Sequence, residues 1–330
     1  MGNSVEITNS YKASRLSVAP MMDWTDRHCR YFHRLLSRET LLYTEMVTAK
    51  AVIHGHRERL LGFHPAEHPV ALQLGGSVPA ELAEATRIAA EFGYDEVNLN
   101  VGCPSDRVQS GSFGAVLMEQ PELVADCVVA MQGFGPEITV KCRIGVDEQE
   151  PRDVLPDFLK KVAAAGVQSF TVHARKAWLQ GLSPKQNRDV PPLDYPLVYA
   201  MKAAFPALEI CINGGIATLD EAEAHLKHVD GVMVGRAAYH DPFGILAEAD
   251  ARVFNGPPAR DEAEVINLMC EYIETELAKG ARLNQITRHI LGAFAGRPGA
   301  RRWRRVLSEG AHLDGAGPAL IMQAYEAVKG

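Results

Sequence analysis

The stretch VALQLGGSVPAELAEATRIAAEFGYDEVNLNV, from Val70 to Val101, decides the fold. Its two ends, Val70–Gly75 and Glu96–Val101, are short apolar-rich runs with the length of strands rather than helices. Between them Pro79–Phe92 has helical periodicity, with Leu82, Ala85, Ile88 and Ala89 on one face and Glu81, Glu84 and Arg87 on the other. Strand, helix and strand in that order form a βαβ unit, which joins parallel strands through a crossover helix.

Outward from this unit the pattern repeats. Six further β-like runs occur: Leu16–Met21, Leu41–Val47, Ile138–Arg143, Phe170–Ala174, Glu209–Ile212 and Gly231–Val234. Helix-like stretches such as Pro121–Met131, Asp153–Ala165 and Leu219–His228 lie between them. Several of the runs are apolar nearly throughout, as in a parallel sheet buried on both faces. Eight such units predict a closed (β/α)8 TIM barrel over 15–254, with a doubly wound open sheet as the competing arrangement. Asn255-Gly-Pro-Pro-Ala259 then reads as a linker. Beyond it only helical patterns remain, at Glu262–Ala278, Asn284–Phe294, Ala300–Leu307 and after Pro318, which predicts a small all-helical C-terminal domain over 260–330. Residues 1–14 read as a flexible N-terminus.

Composition limits the function classes. The 330 residues are 47% hydrophobic and 23% charged, and no apolar run approaches the ~20 residues of a membrane helix. The start of the chain lacks the basic and apolar regions of a secretion signal. Six widely spaced cysteines, with no CxxC pair and no zinc-ligand spacing, predict free thiols in a reducing cytoplasm and no metal. The net charge of −7 speaks against nucleic acid, yet Leu277 to Ser308 holds eight Lys or Arg and no Asp or Glu, so a basic patch can sit on an acidic body.

In a barrel the chemistry gathers where strands end, at the C-terminal face. These ends are Ala19-Pro-Met-Met-Asp23, Gln73-Leu-Gly-Gly76, Asn98-Leu-Asn-Val-Gly-Cys-Pro104, Lys141-Cys-Arg143, His173-Ala-Arg175, Asn213-Gly-Gly215 and Gly235-Arg236. Glycines at the last two ends suit phosphate capture by backbone amides, where each pair alone would read as a turn. Gln73 can both give and accept hydrogen bonds, as the imide edge of a flavin requires, or can cap the barrel rim. Lys141 suits the N1/O2 side of a flavin, where a cation stabilises the reduced form, or a salt bridge inside the barrel. His173 can contact the flavin or its phosphate, or be a satisfied core histidine. Cys103 lies before Pro104 and the segment Gly111-Ser-Phe-Gly114, which reads as a flexible loop over the pocket. A thiol is mostly protonated at neutral pH and can donate to a carbanion-like carbon; nucleophilic attack is its other use. Cys127, Cys142 and Cys211 fall within helix and strands and read as inert, packed thiols.

The run Ala19-Pro-Met-Met-Asp-Trp-Thr-Asp26, the motif Asn98-Leu-Asn-Val-Gly-Cys-Pro-Ser105, the Lys141 and His173 strand ends and the final NGG and GR pairs together resemble the tRNA-dihydrouridine synthases. The segment Lys176–Arg188 with Pro191-Pro-Leu193, and Gly296–Arg305, look like the bacterial A-type members, associated with tRNA D-loop positions 20 and 20a. The resemblance implies FMN held by Ala19, Pro20, Met21 and Gln73, with Lys141 and His173 completing the pocket. Asn213, Gly214, Gly215, Gly235 and Arg236 would surround the phosphate. It implies hydride transfer from reduced flavin to uracil C6, protonation of C5 by Cys103, and NADPH as the reductant. Asn100 would bond the target base, turned out of the folded RNA. Lys185 with Arg188, and Arg301 with Arg304, each three residues apart, would grip the tRNA backbone. A monomer is expected, since gripping a whole tRNA leaves little free surface. Two rivals stand beside this: an FMN oxidoreductase of small pyrimidines, and a non-catalytic RNA-binding barrel. The first does not explain the acid-free basic stretch, and the second leaves Cys103 without purpose.

Overall fold

The computed structural model describes residues 14–105 and 113–328. Most of the proposed flexible N-terminus, and Gly111 and Ser112 of the segment after Cys103, lie outside the described residues.

Eight parallel strands close into a barrel in sequence order: β1 (Leu16–Val18), β2 (Leu41–Thr48), β3 (Val70–Gly75), β4 (Glu96–Val101), β5 (Glu137–Arg143), β6 (Ser169–His173), β7 (Glu209–Asn213) and β8 (Gly231–Val234). β1 pairs with β8, so the open-sheet alternative is excluded. β1 stops at Val18, short of the expected Met21; Pro20 has no N–H for a ladder, and the chain turns there.

Period two divides each strand between two environments. On β4, Val97, Leu99 and Val101 face the surrounding helices and join the main apolar core. Glu96, Asn98 and Asn100 alternate with them and meet side chains from β2, β3 and β5 inside the barrel. Strands that read as continuous apolar runs thus carry a polar inner face.

Helices α1 (Arg27–Leu36), α2 (Pro79–Phe92), α3 (Pro121–Met131), α4 (Pro151–Ala164), α5 (Tyr195–Ala204) and α6 (Leu219–His225) cover the barrel. α6 ends three residues earlier than its pattern suggests, because Lys227 and His228 bond three residues back rather than four. After Asn255, held at φ 54°, come α7 (Glu262–Ala278), a short helix at Leu283–Thr287, α8 (Ala300–Gly310) and α9 (Pro318–Tyr325). The single helix expected over Asn284–Phe294 breaks after Thr287 into tight turns in which His289, Ile290 and Ala293 each bond three residues back. Crowding explains the break: a Cβ at Gly292 would lie 2.6 Å from the carbonyl oxygen of His240, and the Trp303 indole donates to Ile290 O at 2.9 Å.

This helical segment packs on α1. Tyr272 stacks on Tyr31 with ring centres 3.9 Å apart and its hydroxyl meets His28 Nδ1 at 2.7 Å. Asp26, the N-cap of α1, also receives His289 at 2.9 Å and Arg288 at 2.8 Å. Burial opposes ionisation of Asp26, but those two donors win and hold its carboxyl below the usual range.

Candidate active site at the mouth of the barrel

The strand ends enclose a cavity of about 630 Å³, within the usual size of a cofactor site. All eleven residues expected around the cofactor line it: Ala19, Pro20, Met21, Gln73, Lys141, His173, Asn213, Gly214, Gly215, Gly235 and Arg236. Cys103, Asn100 and Arg188 line it too. Lys185, Arg301 and Arg304 do not; all three are exposed elsewhere, and the two arginines lie on α8 beside the buried Trp303.

Each wall has a local cause. The turn after β1 is pinned: Met21 N–H donates to Thr25 Oγ1 at 3.0 Å, Thr25 N–H returns to Met21 O at 3.0 Å, and Trp24 stacks on Tyr239 at 4.5 Å. After β4, Asn100 Oδ1 accepts from the amides of Gly102 at 3.1 Å and Cys103 at 3.0 Å, turning the chain so that the thiol reaches the cavity. The Cys103 thiol donates to Ser105 Oγ at 3.5 Å. After β7, Gly214 sits at φ 112°, and a Cβ there would fall 2.5 Å from the His173 ring, so only glycine lets the backbone pass.

The electrostatics come from burial. Among the described residues Lys141 has one partner, Asn213 Oδ1 at 3.1 Å, and desolvation, aided by the nearby Arg143 charge, lowers its pKa to about 8. Burial first, then the Arg143 and Lys141 charges, push the His173 ring far below its usual range, so it is neutral. Among the described residues no group hydrogen-bonds that ring.

Two residues behave differently from their expectation. Arg236 lines the cavity but pairs with Asp189 at 2.7 Å, so its guanidinium already has a carboxylate partner in the 176–190 segment. Arg143, given no role by the sequence reading, is 3% exposed and clamps two loops: its Nε donates to Gly102 O at 3.0 Å, and Nη1 to Lys176 O at 3.0 Å and Asn187 O at 2.9 Å. Period two on β5 was the available signal, since Thr139, Lys141 and Arg143 must share a face.

A second, larger cleft of about 1080 Å³ adjoins the first and shares Met22 and Met46 with it. It runs between the end of β2 and the helical segment, and its lining includes Arg27, Arg59, Lys279 and Arg288. Arg27 and Arg59 make no ion pair among the described residues. Sequence reasoning missed this cleft, because its walls come from segments more than two hundred residues apart.

The family model described as dihydrouridine synthase (Dus) matches residues 17–329. The chain belongs to the dihydrouridine synthase family. Relatives named tRNA-dihydrouridine(20/20a) synthase include one from Vibrio cholerae, 57% identical over 313 residues, covering 94% of this chain and 95% of that protein. Another from Salmonella typhi is 57% identical over 324 residues, covering 97% of each. Solved structures share the fold at low identity: a 2-naphthoyl-CoA reductase complex at TM-score 0.54 and 10% identity, over 71% of this chain and 49% of that one, and morphinone reductase at 0.50 and 14%, over 76% and 88%. As a dihydrouridine synthase the chain is an enzyme, and the barrel mouth is the place where its chemistry-bearing strand ends converge.

Proposed function

We propose that this enzyme uses FMN and NADPH to reduce the C5–C6 bond of uridine in the tRNA D-loop, at positions 20 and 20a, with Cys103 as proton donor. The observation that carries the reading is the meeting of the Cys103 thiol, Asn100, Lys141 and His173 in one cavity that also exposes bare backbone at Gly235.

The residues fit FMN. A Cβ at Gly235 would meet nothing closer than 3.8 Å, so the backbone there opens directly on the cavity. The amides of Arg236 and Ala237 begin the helix Arg236–His240 and have no acceptor within it, which suits a phosphate. Lys141 supplies the cation that a reduced flavin ring needs, and Gln73 a group that both donates and accepts. Bound FMN would supply hydride to uracil C6 and recover it from NADPH. Cys103 Sγ then gives its proton to C5 and becomes a thiolate, which solvent reprotonates. Asn100 anchors the loop and orients the base, and neutral His173 bonds the cofactor without adding charge.

The 15–254 barrel would then be the flavin-binding catalytic part and 260–330 the tRNA-binding part, in an enzyme acting as a cytoplasmic monomer. No described helix is long and apolar enough to cross a membrane. Arg188 at the cavity and the exposed Lys185, Arg301 and Arg304 serve as RNA contacts, joined by Arg27 and Arg59 of the cleft. The test is nucleoside mass spectrometry of unmodified tRNA incubated with the yellow protein and NADPH. A two-dalton gain mapped to the D-loop supports the reading; NADPH oxidation driven by a free pyrimidine, with no gain in tRNA, replaces it with small-molecule reduction.

A further inference from the structure

Glu96, at the floor of the barrel, is joined to Cys103, at its mouth, by an unbroken line of hydrogen bonds. Glu96 Oε1 accepts from the hydroxyls of Tyr43 and Thr139, each at 2.5 Å. Thr139 Oγ1 accepts from Asn98 Nδ2 at 2.7 Å, Asn98 Oδ1 from Gln73 Nε2 at 2.9 Å, and Gln73 Oε1 from Asn100 Nδ2 at 2.8 Å. Asn100 Oδ1 ends the line on the amides of Gly102 and Cys103. Every side chain in it is at most 7% exposed, so water cannot replace a lost partner cheaply.

We propose that Glu96 sets the direction of this relay, and that Thr139, Asn98, Gln73 and Asn100 transmit it, making Glu96 and Thr139 positioning residues for the Cys103 loop and for the face Gln73 shows to the cofactor. The direction is not fixed by the middle of the chain. An amide or hydroxyl presents a donor on one side and an acceptor on the other, and each can be reversed. Only the ends decide. Ionised, or carrying its proton on Oε2, the carboxyl leaves Oε1 with two donors already and nothing to give, so Thr139 donates to Glu96 and accepts from Asn98. Were Thr139 to donate to Asn98 instead, each amide in turn would flip, and Asn100 would turn its NH2 on the amide hydrogens of Gly102 and Cys103. The Cys103 turn would lose both its bonds, and Gln73 would exchange the donor and acceptor it leaves for the cavity. A network with one polarity is worth more than its separate bonds because each link removes the alternative for the next.

The proposal rests on the proposed roles of Cys103 and FMN, so its test includes a measurement made without either substrate. Thr139→Val keeps the shape and removes the hydroxyl; Thr139→Ser keeps the hydroxyl. Amide exchange at Gly102 and Cys103 is followed in both variants and in the wild type, without tRNA or NADPH. The loss of bonds to Asn100 predicts exchange about tenfold faster in Thr139→Val, with Thr139→Ser matching wild type and distant amides unchanged. On tRNA, kcat falls about tenfold in Thr139→Val, because the loop carries the acid and Asn100 orients the base. Equal protection of the two amides in Thr139→Val and Thr139→Ser overturns the relay. Should Thr139→Val fail to fold, Glu96→Gln, which can either donate or accept, is measured in its place and must show the same loosening or the proposal falls. A wild type that yields no dihydrouridine would remove the proposed activity, while the exchange comparison still decides the relay.

Discussion

The two ends of the barrel both withdraw titratable groups from water and meet them differently, Glu96 and Glu209 at the floor being buried and Lys141 and Cys103 at the mouth half-buried. At the floor, Glu96 is pushed up to about 8 and Glu209 to about 7, in both cases first by burial. Yet each carboxyl is met by hydroxyls: Tyr43 and Thr139 at Glu96, Ser14 and Ser169 at Glu209. At the mouth, desolvation lowers Lys141 to about 8, but among the described residues it holds one neutral partner, Cys103 holds the long contact to Ser105, and no group hydrogen-bonds the His173 ring. A displaced pKa therefore does not mark a working group here. On the proposed roles, spare bonding capacity facing the cavity does.

The largest break of this comparison is Cys103→Ala. On the proposed role, loss of the general acid lowers turnover by about 10²–10⁴-fold, so dihydrouridine formation should nearly stop while flavin content and flavin reduction by NADPH persist. Cys211→Ala, on a thiol that burial raises well above its usual range, leaves turnover intact. Comparable losses in the two variants would erase the distinction between mouth and core.

Arg143→Lys comes next. Lysine cannot reach Gly102 O, Lys176 O and Asn187 O together as the guanidinium does, so the two loops separate. Turnover on tRNA drops about tenfold, the scale of one or two well-placed hydrogen bonds, while NADPH oxidation with an artificial acceptor holds. Unchanged steady-state rates on tRNA would show that the clamp is only structural.

Lys141 sharpens the contrast through pH. Its folded pKa of about 8 lies below the ordinary lysine value of 10.5, so the cation is present below about 8 and lost as pH rises through it. An anionic cofactor beside it favours the charged form and takes up a proton on binding. FMN affinity, followed by quenching of flavin fluorescence, falls several-fold between about pH 7 and 9 in the wild type and stays flat in Lys141→Met. A parallel decline in both proteins would move the proton elsewhere.

Smaller effects belong to the periphery and the floor. Arg301→Ala with Arg304→Ala, compared with Arg27→Ala and Arg59→Ala of the cleft, weakens tRNA binding and lowers the salt slope by about one for each phosphate no longer neutralised. Identical slopes would take the pair concerned out of the interface. Glu209→Gln tests the floor alone. Because the folded pKa is raised, the folded state keeps a proton that the unfolded chain has released, and stability declines as pH rises from the carboxylate range through about 7. The variant should lose less melting temperature than wild type between about pH 5 and 8, at unchanged turnover.

The barrel was legible because Pro79–Phe92 and Pro121–Met131 repeat at the helical period and the strands between them are short and apolar. Helix limits failed where tertiary contacts override propensity, as at Gly292, pressed against the backbone of Tyr239 and His240. The lining of the mouth cavity was legible as strand ends, since closure brings all ends to one mouth. The relay was not, because it depends on register: Gln73 lies opposite Asn98, and Asn98 opposite Thr139, only once the strands are paired. The cleft was hidden for the same reason at larger scale, and Arg301 and Arg304 share a helix face without sharing the cavity.

The packed floor also governs traffic. Tyr43, Glu96, Ala71 and Met233 fill the barrel from below, so whatever enters the cavity must come through the mouth and leave by it. On the proposed chemistry, reductant and nucleic acid would both approach from that side. An enzyme so built would serve two visitors in turn, carrying a pair of electrons across the interval.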